Sequence, residues 1–374
     1  MNTATHHAVI GILRERAAGE RRVALIPPDI KKLLTKTEFL VESRAGSEAG
    51  FDDNAYMDAG ARITDSQDIL ENCDVVIKVR PPAVDDVPRA GRILVSLGGW
   101  DSNLCDSLRR RSVIHLALER IPRTTRAQAM DILSSQASIA GYAAVLEGAR
   151  ELSVLLPMLT TAAGTIRPAR MIALGAGVAG LQAIATARRL GAVVHGFDVR
   201  AAAREQVESL GATFVSVDID VGTGESIGGY AREQSSDQQA RLRRALSAQL
   251  ATMQLVIATA QIPGRPAPLL IDRETLGMMQ PGSVIVDLAA ESGGNCEVSR
   301  PNQTVSVNGV RVMAPTDLPS LMATDASRMF SGNVRALLAY LMDESGRLKV
   351  DASDPISAAL LAGQNVERAS VAAA

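Results

Sequence analysis

Short apolar runs recur through the first third of the chain, at residues 9–12, 39–41, 75–78, 93–96 and 113–117, each followed by polar or turn-forming residues. Runs that are continuous rather than alternating predict strands buried on both faces of an open, mostly parallel sheet. A second series occupies residues 171–174, 193–197, 213–217, 255–258, 283–287 and 310–313, with helical segments between several of its members. Between the two series, residues 126–150 are rich in Ala, Leu, Gln and Met and lack proline, which predicts one long helix. A second long helix is predicted over 327–342. The pattern as a whole predicts an α/β chain of two Rossmann-like doubly wound domains with parallel sheets, joined by long crossing helices. The expected division is 1–133 with 329–374 as a discontinuous N-terminal domain, and 134–328 as the second domain.

Composition narrows this picture. The chain has 374 residues, more than the ~250–300 at which one hydrophobic core stops growing, in keeping with two domains. Apolar residues make up 47% but aromatic ones only 3%, so Ala, Val, Leu and Ile must fill close helix–sheet contacts. A formal charge of −2 with both signs interspersed leaves no basic field for a phosphate backbone, and no nucleic-acid partner is expected. The three cysteines, Cys73, Cys105 and Cys296, are far apart and show no metal spacing, so buried thiols and no metal are expected. No apolar run approaches the ~18–20 residues that span a bilayer, and the N-terminus lacks a secretory pattern, so a cytoplasmic chain without direct membrane insertion is expected.

The clearest chemistry lies in Gly175, Ala176, Gly177, Val178, Ala179 and Gly180, a Gly-x-Gly-x-x-Gly turn directly after the apolar run 171–174 and before a helical stretch. Glycines there let the backbone approach a pyrophosphate, and the helix start offers it unpaired N–H groups. Asp198 ends the next strand 23 residues after Gly175, where a carboxylate can accept from ribose hydroxyls and repel a 2′-phosphate. Val199 and Arg200 complete that turn, and Arg200 can offset part of the repulsion. NAD(H) is expected in preference to NADP(H).

The histidines point away from an ordinary dehydrogenase. Of four, His6 and His7 lie in the N-terminal tail, while His115 and His195 fall inside predicted strands. Oxidising an alcohol or amine requires a group to take a proton, whereas transfer between two nicotinamides moves only a hydride. Only one fingerprint is present, so the second nucleotide, NADP(H), is expected on a partner subunit.

Several separated blocks carry a family resemblance. They are Glu20-Arg21-Arg22-Val23-Ala24-Leu25-Ile26-Pro27, Val76-Ile77-Lys78-Val79, the stretch from Pro122 to Gln136, Gly228-Gly229-Tyr230-Ala231, Thr259-Ala260-Gln261-Ile262-Pro263-Gly264, and Ala290-Glu291-Ser292-Gly293-Gly294-Asn295-Cys296-Glu297. Through these blocks nearly the whole chain resembles the NAD(H)-binding alpha component of Re/Si-specific, proton-translocating NAD(P) transhydrogenases, which are related to alanine dehydrogenase. The resemblance implies an oxidoreductase and translocase component passing hydride between NADH and NADP+ held on a partner. It implies that Arg123, Gln128, Asp131 and Ser134 hydrogen-bond the dihydronicotinamide, that Tyr230 lies on a mobile loop closing over the nucleotide, and that Thr259, Ala260 and Gln261 line its cleft. It further implies a homodimer held peripherally at the inner membrane by NADP-binding and membrane-spanning subunits. The chain ends at Ala374 before any membrane segment, from which a separately encoded subunit is expected.

In alanine dehydrogenases the Arg and Lys matching Arg22 and Lys78 hold the substrate carboxylate; here they are either that clamp or structural ion-pairing groups. Gly98, in Leu97-Gly98-Gly99-Trp100, stands at or near the place of their catalytic histidine, and Glu291 stands where they have an active-site Asp. Ala143, Leu321 and Ser331-Gly332 replace basic or small–basic positions usual in the transhydrogenases. The alternatives left open are an amino-acid dehydrogenase and a non-catalytic NAD-binding paralogue.

Overall fold

The structure, a computed structural model, describes residues 8–34, 37–217, 236–343, 346–361 and 369–370. They fall into two compact units, one from Met1–Gln136 with Ser320–Ala374 and one from Ala137–Pro319.

The first unit is built on six strands, β1 Ala8–Ile12, β2 Thr37–Glu42, β3 Arg62–Thr64, β4 Val75–Ile77, β5 Ile93–Ser96 and β6 Ile114–Ala117. They pair in the order β3-β2-β1-β4-β5-β6, and every pairing is parallel. Alternation along the strands divides the apolar side chains between two faces. Ile10, Ile12, Phe39, Val41, Val75 and Ile77 enter one cluster, while Leu40, Val76 and Leu94 enter another with Ile69 and Leu108. Both faces being covered, the strands read as continuous apolar runs.

The second unit carries the hairpin β7 Leu159–Thr161 and β8 Gly164–Ile166, followed by β9 Arg170–Leu174, β10 Val193–Phe197, β11 Thr213–Phe214, β12 Leu255–Ala258, β13 Val284–Asp287, β14 Thr304–Val307 and β15 Val310–Met313. Apart from the hairpin these form one sheet in the order β11-β10-β9-β12-β13-β15-β14. Its strands are parallel except β14, which runs antiparallel to β15. No apolar run predicts β14, because it is an edge strand whose side chains alternate between exposed and half-buried. It turns into β15 through Asn308-Gly309, at φ 51 and 79, a two-residue turn suited to the twist of paired strands.

The single helix expected over 126–150 is broken. A 3-10 segment covers Thr125–Met130, Asp131 departs from helical geometry with ψ 87, and the α-helix runs over Ile132–Glu151. The break has a local cause: the Asp131 carboxylate accepts from the Ser134 N–H at 2.9 Å and from its hydroxyl at 2.6 Å, so Asp131 caps the α-helix instead of continuing into it. The second long helix spans Ala323–Leu341 and belongs to the first unit. Its buried stripe, Phe330, Val334, Leu337, Leu338 and Leu341, has the spacing of one helix face and joins the main core of that unit. Ser327 and Ser331, also buried, accept from the N–H groups of Val23 and Ile26, both at 3.0 Å, and so fix the loop after β1.

Phe330 is fully buried in this stripe. Its truncation, Phe330→Ala, is expected to destabilise the first unit by roughly 3–5 kcal/mol, since both contacts and a cavity are involved. The measurement is the urea unfolding midpoint, and an unchanged midpoint would show that the helix does not hold the core as described.

Candidate functional site

β9 ends at Leu174 and the chain turns at Gly175, whose φ of +97 and whose N–H, bonded to the Phe197 carbonyl at 2.8 Å, place it beside the end of β10. The helix Val178–Arg189 then starts with Gly177 as its N-cap, with no side chain capping it. A Cβ on Gly180 would stand 1.8 Å from the Gly175 carbonyl oxygen, so only glycine lets the helix sit this close to the turn. At Gly177 a Cβ would meet no described atom within 4 Å, which leaves the helix start open. Uncapped N–H groups, the positive end of a helix dipole and open space above the backbone suit an anionic group such as a pyrophosphate. Ala176 is buried beneath the turn, and Val178 and Ala179 are half-buried in the first helical turn.

Asp198 follows β10 and reaches back to this turn, its Oδ2 accepting from the Ala176 N–H at 2.8 Å. Arg200 grips the same carboxylate, Nε to Oδ1 at 3.0 Å and Nη2 to Oδ2 at 2.9 Å. Val199 between them packs toward the core. β12 is the other neighbour of β9. This is where the strand order reverses, the place where open α/β sheets bind ligands. After β12, the Thr259 hydroxyl donates to the Gly175 carbonyl at 3.0 Å and ties the two loops together. Ala260 is held at both backbone groups by Asn295, with its N–H bonded to Oδ1 at 3.0 Å and its carbonyl to Nδ2 at 2.8 Å. Gln261 is exposed, its amide donating to the Leu288 carbonyl at 2.9 Å.

The sequence alone gives Asn295 and Asp287 no role, yet they organise this side of the site. Asp287 is fully buried at the end of β13 and accepts from the N–H groups of Ala289, Asn295 and Cys296 and from the Ser299 hydroxyl. Burial pushes its carboxyl up, against these four bonds. An acidic residue closing an apolar strand just before a glycine-containing turn was the available signal. Glu291, by contrast, is exposed.

In the first unit, the 3-10 segment is anchored by Ala127 and Met130, both buried in the core cluster that holds Phe330. Their i, i+3 spacing leaves Gln128 exposed. Arg123 lies with Nε 3.9 Å from Asp131 Oδ2, so Arg123, Asp131 and Ser134 meet in one small group. Gln128 joins it through its backbone, whose carbonyl accepts from the Asp131 N–H at 3.3 Å. From the neighbouring helix, Asn333 donates to the Ala129 carbonyl at 2.8 Å, and Arg126 donates to the Tyr340 hydroxyl at 2.7 Å. Tyr230 and the glycine-containing segment around it lie outside the described residues.

Beyond β1 and β4, Arg22 and Lys78 each have partners within the chain. Arg22 is buried and makes two bonds to Glu20, at 2.8 and 2.6 Å, and one to the Gln136 amide oxygen at 2.8 Å. Burial alone would raise the Glu20 carboxyl, but the bonds and charge of Arg22 outweigh it and hold the group at about 2. Lys78 is paired with Asp86 and lies 3.9 Å from Glu15. Gln136, Asp86 and Ser320, which donates to Glu20 at 2.6 Å, come from distant segments that no local pattern links to Arg22 or Lys78. Gly98 sits at φ +119, where an added Cβ would stand 2.6 Å from Leu104, and the N–H groups of Gly98 and Gly99 both bond the Glu119 carboxylate. The turn before Trp100 therefore has no room for an imidazole at Gly98. His115 is buried against Ser96, and burial lowers it to about 4, so it is neutral at neutral pH. All three cysteines are buried free thiols, with burial pushing Cys73 and Cys296 up to about 12. Among the described residues no helix is long and apolar enough to cross a membrane.

Two sheets of strand order 3-2-1-4-5, one closing on a glycine turn, a helix start and an acidic residue on the next strand, define a protein of the nucleotide-binding dehydrogenase class. The chain belongs to the alanine dehydrogenase/PNT family: residues 11–140 match its N-terminal domain and residues 144–371 its C-terminal domain. Within the family it groups with the transhydrogenase alpha subunits. It is 44% identical to the first of the chains that make up the NAD(P) transhydrogenase alpha subunit of Rhodospirillum rubrum, over 91% of this chain and 92% of that one. Against the alanine dehydrogenase of Halomonas elongata the identity is 27%, over 94% and 92%. The crystal structure of a transhydrogenase from Sinorhizobium meliloti superposes with a TM-score of 0.84 at 38% identity, covering 94% of this chain and 97% of that one.

Glu15 gives the first unit a pH dependence of its own. Burial raises its carboxyl to about 7, with the nearby Lys78 charge pulling the other way. A carboxyl whose folded value lies above its unfolded value of about 4.3 adds stability below that lower value and loses it as pH rises through the upper one. The urea midpoint of the wild type is therefore expected to fall between about pH 5 and pH 8 by more than that of Glu15→Gln. Parallel profiles for the two proteins would contradict the assignment.

Proposed function

We propose that this chain binds NAD(H) and, in complex with a partner subunit that carries NADP(H), passes hydride between the two nucleotides as the alpha component of a proton-translocating transhydrogenase. The observation that carries the reading is the Gly175–Gly180 turn, with its open helix start and with Asp198 bonded to Ala176. The pyrophosphate is assigned to the backbone of Gly175, Ala176, Gly177, Val178, Ala179 and Gly180, and the adenosine ribose to Asp198, Val199 and Arg200. Thr259, Ala260 and Gln261 line the neighbouring loop, and Tyr230 is assigned to closure over the nucleotide.

Bound NADH supplies the hydride. Arg123, Gln128, Asp131 and Ser134 are assigned to its dihydronicotinamide. Asp131 is engaged by Ser134 and faced by Arg123, so the exposed Gln128 amide is the group able to donate to and accept from a carboxamide. Hydride transfer between two nicotinamides needs no proton acceptor, which agrees with a neutral, buried His115 and with the glycine at position 98. It also agrees with Arg22 and Lys78 being spent on Glu20 and Asp86 rather than on a substrate carboxylate. The departures at Ala143 and Ser331 fall on fully buried positions, and Ser331 bonds Asp29 and Ile26, so these two changes do not alter a docking face.

The test is to mix the purified chain with an NADP-binding transhydrogenase component and follow reduction of an NAD analogue by NADPH. A rate no greater than background would sink the reading. Gln128→Asn is expected to slow transfer by about tenfold or more, through lost alignment, with little change in NADH affinity.

We further infer that the chain works as a homodimer, placed at the cytoplasmic face of the inner membrane by its partners. The β7–β8 hairpin pairs Leu159 with Ile166, both exposed, and Val154, Leu155 and the 65% exposed Met158 precede it. Apolar groups gathered on a projecting hairpin suit a second copy of the same surface. The double variant Met158→Asp, Ile166→Asp is expected to sediment as a monomer where the wild type sediments as a dimer. An unaltered sedimentation coefficient would rule the hairpin out as the contact.

A further inference from the structure

Asp198 is not an open acceptor. A carboxylate offers about four lone-pair sites, and donors of this chain occupy both oxygens twice. Oδ1 accepts from the Arg200 N–H at 2.8 Å and from its Nε at 3.0 Å, and Oδ2 accepts from the Ala176 N–H at 2.8 Å and from Arg200 Nη2 at 2.9 Å. Two of these donors are backbone groups fixed by the turns after β9 and β10. The other two belong to one guanidinium on a flexible stem. That guanidinium also donates to the Ala176 carbonyl at 3.3 Å, so it lies across the start of the glycine turn. The pair is largely sheltered, with side-chain exposures of 17% for Arg200 and 7% for Asp198, and is therefore only weakly screened.

We propose that Arg200 determines nucleotide specificity at this site, as an internal competitor for the ribose diol and as a counter-charge for a ribose phosphate. This deepens the NAD(H) reading above and rests on it. A ribose diol can bond Asp198 only by displacing the guanidinium, so the ion pair weakens NADH binding by the free energy of those two bonds. Once displaced, the guanidinium remains tethered two residues from the carboxylate, where it offsets the repulsion that a bare Asp198 exerts on a 2′-phosphate. Both effects act in the same direction: Arg200 narrows the preference for NADH over NADPH that Asp198 alone would impose.

The experiment is calorimetric titration of the full chain with NADH and with NADPH, for the wild type, Arg200→Ala and Arg200→Lys, with thermal melts of each. For Arg200→Ala, NADH is expected to bind about three- to tenfold more tightly, the scale of one partly sheltered ion pair, and NADPH about as much more weakly. Arg200→Lys keeps the charge but loses the planar two-point grip, so it is expected to gain NADH affinity while holding NADPH affinity near the wild-type value. Should Arg200→Ala melt early, the lysine variant decides. A wild type that binds NADH, with an unchanged NADH-to-NADPH ratio in both variants, overturns this inference and leaves the NAD(H) reading standing. A wild type that binds neither nucleotide overturns both.

Discussion

Parallel strands covered on both faces leave polar chemistry nowhere to go except the strand ends, and that constraint organises both units. In each sheet the chain's buried charges gather in the loops beyond the strands, where backbone N–H groups are available to meet them. Glu20 is satisfied by Arg22, Arg80 and Ser320, and Asp287 by three N–H groups and a hydroxyl. A buried carboxylate without such partners would be expensive. The loops are thereby drawn into fixed shapes by the groups they must satisfy, and a fixed loop beside a helix start is what a nucleotide site requires.

The parts of this arrangement that could be read from the sequence are those written in local spacing. The glycine turn and Asp198 belong to one strand–helix–strand unit, so their positions in the chain nearly determine their positions in space. The double-sided burial of the strands is equally local, since it shows as unbroken apolar runs. What escaped detection is non-local. Nothing near Ala260 signals that Asn295 holds both of its backbone groups, and nothing near Arg22 signals Gln136. The Asp131 break hides in a stretch of strong helix formers, because a cap is defined by a backbone angle rather than by composition. β14 had a signal that the apolar runs do not convey: the Asn308-Gly309 pair between two valines marks a hairpin even where the outer strand is half polar.

Asp131 also illustrates how a side chain can serve structure and chemistry together. Its carboxylate is fixed by the helix it caps, so the short segment ahead of it, with Ala127 and Met130 buried, presents Gln128 from a rigid base. The dual use explains why the block reads as an ordinary helix start when viewed one residue at a time. Its distinctive content is the set: a guanidinium, an amide, a carboxylate and a hydroxyl within a dozen positions, three of them meeting and the fourth turned outward.

The turn at Gly98-Gly99 ends on Trp100, which is 45% exposed and is the one tryptophan of the chain. Its backbone neighbours are pinned by Glu119 and Arg120. The indole is thus a native spectroscopic probe already installed on the first unit, half in solvent and on a stiff mount. Excited selectively, its emission reports on that one turn, while the second unit stays optically silent, so the two halves of the chain can be followed separately without any label.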